Sequence, residues 1–300
     1  MVMDRPTILL IGRNGQVGWE LERALAPLGT VVAVARPEFD LREPATIRLI
    51  VAETRPNVIV NAAAYTAVDR AEEEADVAMA VNGTAVGIIG EEAKKAGAAV
   101  IHYSTDYVFD GRRTAPYLET DPVNPLNAYG RSKLAGERAL LASGAAGLIL
   151  RTGWVYGLRG GNFLLTIRRL LAERDSLRIV DDQTGSPTWS RLVAETTAQI
   201  IARTGRGLAD YRGIYHLTCQ GYATWCGFAR EIASYNRGPA KQAAILPVTS
   251  AEYGAAAIRP ACAVLDNGKL AAAFGLLLPD WRAALALAMA GERPNSEKSH

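Results

Sequence analysis

The chain is poor in cysteine: among 300 residues only Cys219, Cys226 and Cys262 occur. Their number is odd, and no CxxC or paired-histidine spacing accompanies them, which argues against a disulfide framework and a zinc site. They read instead as small apolar core residues of the second half. No apolar run reaches the roughly 18 residues of a membrane span. The start, Met1-Val2-Met3-Asp4-Arg5-Pro6, has neither a basic region nor an apolar stretch of the signal-peptide kind, so the cytoplasm is the expected compartment. Charge of one sign is also missing. The 33 basic residues against 31 acidic leave a net of +2, which gives no global field for nucleic acid or a membrane surface. No repeat of 20 to 50 residues is visible.

What is present is an alternation of strand-like and helix-like segments through the first half. Strands are predicted at 7–11, 30–35, 57–60, 98–104 and 147–151, with helices at 16–28, 44–54, 68–95 and 127–142. That order is the pattern of βαβ units, and so of an α/β, doubly wound, Rossmann-like parallel sheet. After Arg151 the regularity decays. Loops at 158–162 and 181–188 flank a helix at 163–174; an alternating strand at 213–218 and helices at 224–235 and 279–290 follow. The expected division is a dinucleotide-binding domain over 1–155, with 188–212 returning to it. A smaller C-terminal substrate lobe would take 156–187 and 213–291, leaving a frayed tail at 292–300.

Gly12-Arg13-Asn14-Gly15-Gln16-Val17-Gly18 follows the first strand and opens the first helix, the context a dinucleotide loop requires. Gly12 supplies the tight turn, Gly15 the approach of main-chain amides to a pyrophosphate, and Gly18 close helix–strand packing. The cofactor-binding residues expected here are Gly12, Asn14, Gly15, Gln16 and Val17, at the positive end of the helix. An acid is normal after the second strand, yet Arg36 stands there. A guanidinium suits a 2′-phosphate, favouring NADPH with NADH still open, or it is only a solvated charge. Asp40 and Leu41 would border the adenine, and the small residues Ala62, Ala63 and Ala64 would let a cofactor lie near the backbone.

Tyr129 and Lys133 are four apart and share a helix face. A phenol of free pKa near ~10 needs its pKa lowered by roughly 3 units to protonate an alkoxide at neutral pH, and Lys133 is placed to supply that charge. Thr105, or Ser104 beside it, would hold the carbonyl for hydride attack.

These residues resemble the extended short-chain dehydrogenase/reductases and, within them, the dTDP-4-dehydrorhamnose reductase family. The resemblance runs through the glycine loop, Asn61-Ala62-Ala63-Ala64-Tyr65-Thr66-Ala67-Val68-Asp69, Ser104-Thr105-Asp106-Tyr107-Val108-Phe109-Asp110-Gly111 and Tyr129-Gly130-Arg131-Ser132-Lys133-Leu134. It continues through Arg151-Thr152-Gly153-Trp154-Val155-Tyr156-Gly157, Asp182-Gln183-Thr184-Gly185-Ser186-Pro187-Thr188 and Leu278-Pro279-Asp280-Trp281. It implies a catalytic triad of Thr105, Tyr129 and Lys133, with Lys133 also on the nicotinamide ribose. It further implies NAD(P)H-dependent reduction of the C4 ketone of a nucleotide-linked 6-deoxy sugar. Asp106 and Tyr107 would border that sugar. Trp154 is either a stacking platform for it or a core residue, and Arg259 either a diphosphate contact or one half of a salt bridge.

Two departures from the family pattern stand out: Gly153 where serine is usual, and Ala261-Cys262-Ala263-Val264 where polar residues are common. Some family members are metal-bridged dimers. Here a homodimer is an open expectation without a metal, because Glu72-Glu73-Glu74 reads as a solvated helix face. Two alternatives share the pattern: another nucleotide-sugar reductase or epimerase, and a regulatory subunit like that of methionine adenosyltransferase. Tyr107, in place of a glutamate after Asp106, disfavours a dehydratase.

Overall fold

In the computed structural model, residues 5–235 and 243–290 are described; the tail expected at 292–300 lies outside them. The core is a six-stranded, wholly parallel sheet. Its strands are β1 (Thr7–Ile11), β2 (Thr30–Val34), β3 (Val58–Asn61), β4 (Ala99–Thr105), β5 (Ala146–Thr152) and, after the lobe strand β6 (Ser176–Val180), β7 (Gly213–His216). The order across the sheet is β7-β5-β4-β3-β1-β2.

Alternate residues of β1 enter two different cores, which is why its sequence is continuously apolar. Ile8 and Leu10 face Leu21 and Leu25 of α1 (Gln16–Leu25) and Val193 of α7 (Ser190–Thr204). Leu9 and Ile11 face Ile47 and Val51 of α2 (Pro44–Thr54), Val86 and Ile89 of α4 (Ala85–Ala96) and Leu140 of α5 (Ala128–Ser143). Helices thus cover both faces.

The long helix expected at 68–95 is broken. A 3-10 turn, Arg70–Glu72, precedes α3 (Ala75–Met79), and a π-helical turn, Ala80–Thr84, joins α3 to α4. Asn82 lies in the π turn: its side chain accepts from Tyr65 N at 2.9 Å and donates to Tyr65 O at 3.0 Å and to Ser132 Oγ at 3.0 Å. That side chain stitches the loop after β3 to α5, and a π turn lets it reach. Glu72 is not only part of a solvated face, since it accepts the first amide of α5, from Ala128, at 2.7 Å.

Residues 213–216, assigned from sequence to the substrate lobe, instead form the sheet edge beside β5. Alternation alone does not say which sheet a strand joins. Outside the six-stranded sheet, β6 pairs in parallel with β8 (Ala244–Val248), with α6 (Phe163–Glu173) and α8 (Trp225–Ser234) against them. No helix among the described residues is long and apolar enough to cross a membrane.

Candidate active site

The strand order reverses between β1 and β3, and the crevice at that switch point is where doubly wound sheets bind ligands. Gly12, at φ +96°, lies there so close to β3 that a side-chain carbon would come 2.6 Å from Ala63 N. A carbon on Gly18 would fall 2.0 Å from Gly12 O, whereas one on Gly15 would meet only Gly12 O at 3.4 Å. The loop is tight against its own scaffold and open at Gly15, where its amides can receive a pyrophosphate. Asn14 and Gly15 are exposed, Gln16 and Val17 half-buried, and Ala62, Ala63 and Ala64 partly open. The glycine cradle fits a dinucleotide.

Arg36 is exposed just past β2, and Asn14 Nδ2 donates to its carbonyl at 3.3 Å. Asp40 is held by Arg42 at 2.5 Å, which keeps its carboxyl below the usual range through that hydrogen bond. Leu41 is buried in the α2–α4 core and offers little surface to an adenine.

Thr105 ends β4, and strand alternation sends Ser104 the other way; Thr105, not Ser104, reaches the Tyr129 phenol. Its Oγ1 also donates to Asp106 Oδ1 at 2.9 Å and accepts from Tyr107 N at 3.2 Å. Tyr107 and Tyr129 meet edge to face at 6.0 Å. Room for this comes from Gly130, where a side-chain carbon would be 2.3 Å from Tyr107 O. Asn127 caps α5 by accepting from Gly130 N at 2.7 Å.

Two electrostatic expectations change. Burial pushes the Tyr129 phenol up to about 12, partly offset by the Thr105 hydrogen bond, and so not down. The reason is that Lys133 is turned away: Nζ donates to Tyr103 O at 2.6 Å and sits 3.2 Å from His102 Nε2. Burial lowers Lys133 to about 8, with Glu137 opposing.

Asp106 is buried, its Oδ2 has no hydrogen-bond partner among the described residues, and burial pushes its carboxyl up to about 7. It also fills the space beside Gly153, where a side-chain carbon would be 2.3 Å from Oδ2. Serine at position 153 would displace this carboxyl. The native state binds a proton more tightly than the unfolded chain, whose aspartate titrates near 3.8, so native stability falls as pH rises from about 4 to about 7. At about 1.4 kcal/mol per tenfold change in proton affinity, the loss has a ceiling of about 4 kcal/mol. Urea midpoints of the cofactor-free protein should decline across that window, and Asp106→Asn should flatten the decline.

Trp154 is not the open indole expected of a sugar platform. It is held at φ +51°, stacked on Trp225 at 3.4 Å and 2°, with Gly185 against the ring, where a side-chain carbon would be 2.3 Å away. Trp225, whose Nε1 donates to Gln183 Oε1 at 3.2 Å, was not singled out by the sequence. Trp225, with Trp154 stacked on it, borders a cleft of about 770 Å³ whose lining also includes Phe163, Arg174, Arg178, Tyr253 and Arg259. Arg259 is also clamped by Asp69, at 3.0 and 2.7 Å, and interacts with the Tyr107 phenol, so it joins the cleft to the Thr105–Tyr129 pair. Among the described residues, no group of three His, Cys, Asp or Glu converges on a metal position.

The model of the family described as RmlD substrate binding domain matches residues 6–293. A dTDP-4-dehydrorhamnose reductase of Burkholderia thailandensis is 49% identical over 93% of this chain and 97% of its own length. The chain belongs to the dTDP-4-dehydrorhamnose reductase family. The enzyme of that name from Escherichia coli K12 is 45% identical over 92% of this chain and 94% of its own. Among family members of known structure, the Bacillus anthracis reductase in complex with NADP superposes with a TM-score of 0.89 at 33% identity, covering 96% of this chain and 99% of that one.

Proposed function

We infer that the chain reduces the C4 ketone of dTDP-4-dehydro-6-deoxy-L-mannose to the alcohol of dTDP-L-rhamnose, using NADPH. The observation that carries this reading is the pairing of Thr105 with Tyr129 at the end of β4, linked through Tyr107 and Arg259 to a large aromatic and basic cleft. Family membership, relatives that carry this enzyme name and the NADP complex of the Bacillus anthracis relative support it.

The loop from Gly12 to Gly18 would hold NADPH, which when bound would supply the hydride for C4. The Tyr129 phenol, protonated at neutral pH because its burial holds the proton on, donates to O4 as negative charge develops there. The Thr105 hydroxyl, whose single proton goes to Asp106 Oδ1 in the cofactor-free chain, becomes the second donor that fixes the carbonyl when it turns from that carboxyl to O4. Lys133 supplies positive charge behind Tyr129 only after turning from Tyr103 O toward the phenol. In the cleft, Arg174, Arg178 and Arg259 suit a diphosphate, and Trp225, backed by Trp154, walls the sugar side. Asp106 and Tyr107 border the sugar. Such a reductase works in the cytoplasm, where reduced nicotinamide is available, as a homodimer or alone.

Arg36, exposed just past β2, would give the cofactor preference by pairing its guanidinium with the 2′-phosphate. Arg36→Ala should raise KM for NADPH roughly tenfold, the loss of one charge-assisted hydrogen bond of about 1.5 kcal/mol, and leave KM for NADH unchanged. The test of the whole reading is NADPH oxidation by the purified protein on addition of the 4-keto sugar nucleotide. One NADPH should disappear per dTDP-L-rhamnose formed; a folded protein that binds NADPH yet consumes none would overturn it.

A further inference from the structure

Behind Lys133 runs a buried polar chain that the proposed reaction does not use. Asn61 ends β3 and His102 lies opposite it in β4, as register partners. Both are buried, at 1% and 0% exposure. Asn61 Oδ1 accepts from the Ala63 amide at 3.2 Å. An amide nitrogen cannot take that place, so the Asn61 side chain is oriented and Nδ2 is the atom turned to His102 Nδ1, at 3.2 Å. Nδ1 therefore accepts. The imidazole is neutral, since burial and the neighbouring lysine both disfavour its cation, and its single proton sits on Nε2. That N–H faces Lys133 Nζ at 3.2 Å.

Two donors cannot oppose each other at that distance in a dry site without cost. A free amine removes the conflict: its lone pair accepts from Nε2–H while one of its own hydrogens goes to Tyr103 O, 2.6 Å away. We propose that His102 is a positioning residue for Lys133: set as the Nε2–H tautomer by Asn61, it donates to Nζ and favours the free amine in the cofactor-free protein. The lysine then gains its proton, drawn from solvent, on turning from His102 toward Tyr129. The other charged or titratable groups around it are Glu137 on its own helix, committed to Arg151 of β5 at 2.7 Å, Tyr129 and Tyr103, with Asp106 beyond Thr105. None of these presents a second donor to Nζ.

The tautomer concerns the cofactor-free chain alone; its catalytic consequence rests on the reductase reading. The chain has 3 histidines, so nitrogen-15 spectra of the wild-type protein at mildly alkaline pH, with His102→Gln to assign the signal, resolve the ring. The expected result is a protonated Nε2 and a bare Nδ1; a proton on Nδ1 overturns the proposal even if the protein proves to be no reductase. In the pH profile of kcat/KM for NADPH, which reports the free enzyme, His102→Leu removes the donor that favours the amine. The limb due to Lys133 should then move up by about one pH unit, the size of one hydrogen bond. His102→Gln, whose amide can donate from the same place, should restore it. An unmoved limb, or equal displacement by both variants, marks His102 as packing only.

Discussion

Tyr129→Phe should lower kcat by roughly 10³-fold, the usual worth of a positioned general acid, while the dissociation constant for NADPH stays within a factor of about two. The substitution removes one oxygen from a ring that otherwise keeps its edge contact with Tyr107. Without it, O4 would have only the Thr105 hydroxyl and water as proton sources, and Thr105 is already committed to Asp106. A cofactor-gated binding subunit would tolerate the same change with no loss of partner binding. Single-turnover kinetics together with NADPH fluorescence titration separate the two roles.

Arg151→Met should cost about 3–5 kcal/mol of folding free energy, because it strands a buried carboxylate. Glu137 and Arg151 form a two-pronged pair, with Nε at 2.8 Å and Nη2 at 2.7 Å from the carboxylate, and their side chains are 1% and 2% exposed. The pair ties α5, one turn beyond Lys133, to β5. Replacing both partners, as Arg151→Met with Glu137→Leu, removes the stranded charge and should bring stability back to within about 1 kcal/mol of wild type. Guanidinium denaturation of the two single variants and the double variant closes the cycle; equal losses in all three would mean that burial of the charge is not what costs stability.

The sheet was legible because strands buried on both faces are written as short apolar runs with no polar alternation, as in Ile8-Leu9-Leu10-Ile11. The break in the 68–95 helix was not legible: Asn82 scores as one polar residue in a helical pattern, and its work depends on Tyr65 and Ser132, which only the fold brings near. Likewise 213–216 carries the signature of a strand but nothing that names β5 as its neighbour. In the site, Thr105, Tyr129 and the glycine loop announce themselves by local spacing. The partners that tune them do not. His102 meets Asn61 through strand register, Arg259 meets Asp69 across 190 residues, and Trp225 reaches Trp154 from the start of α8. Local spacing also leaves open where a flexible cation points, so the turn of Lys133 toward Tyr103 O was invisible.

The central claim is that a hydride reaches C4 of the sugar while Tyr129 protonates O4. NADPH carrying deuterium at the transferable position of its nicotinamide tests it most directly, with the sugar product analysed by proton NMR. The account requires deuterium on C4, on a single face, with none at C3 or C5, and label transfer slowed roughly 10³-fold in Tyr129→Phe. Product free of deuterium at C4, or label arriving at the wild-type rate in Tyr129→Phe, would contradict it.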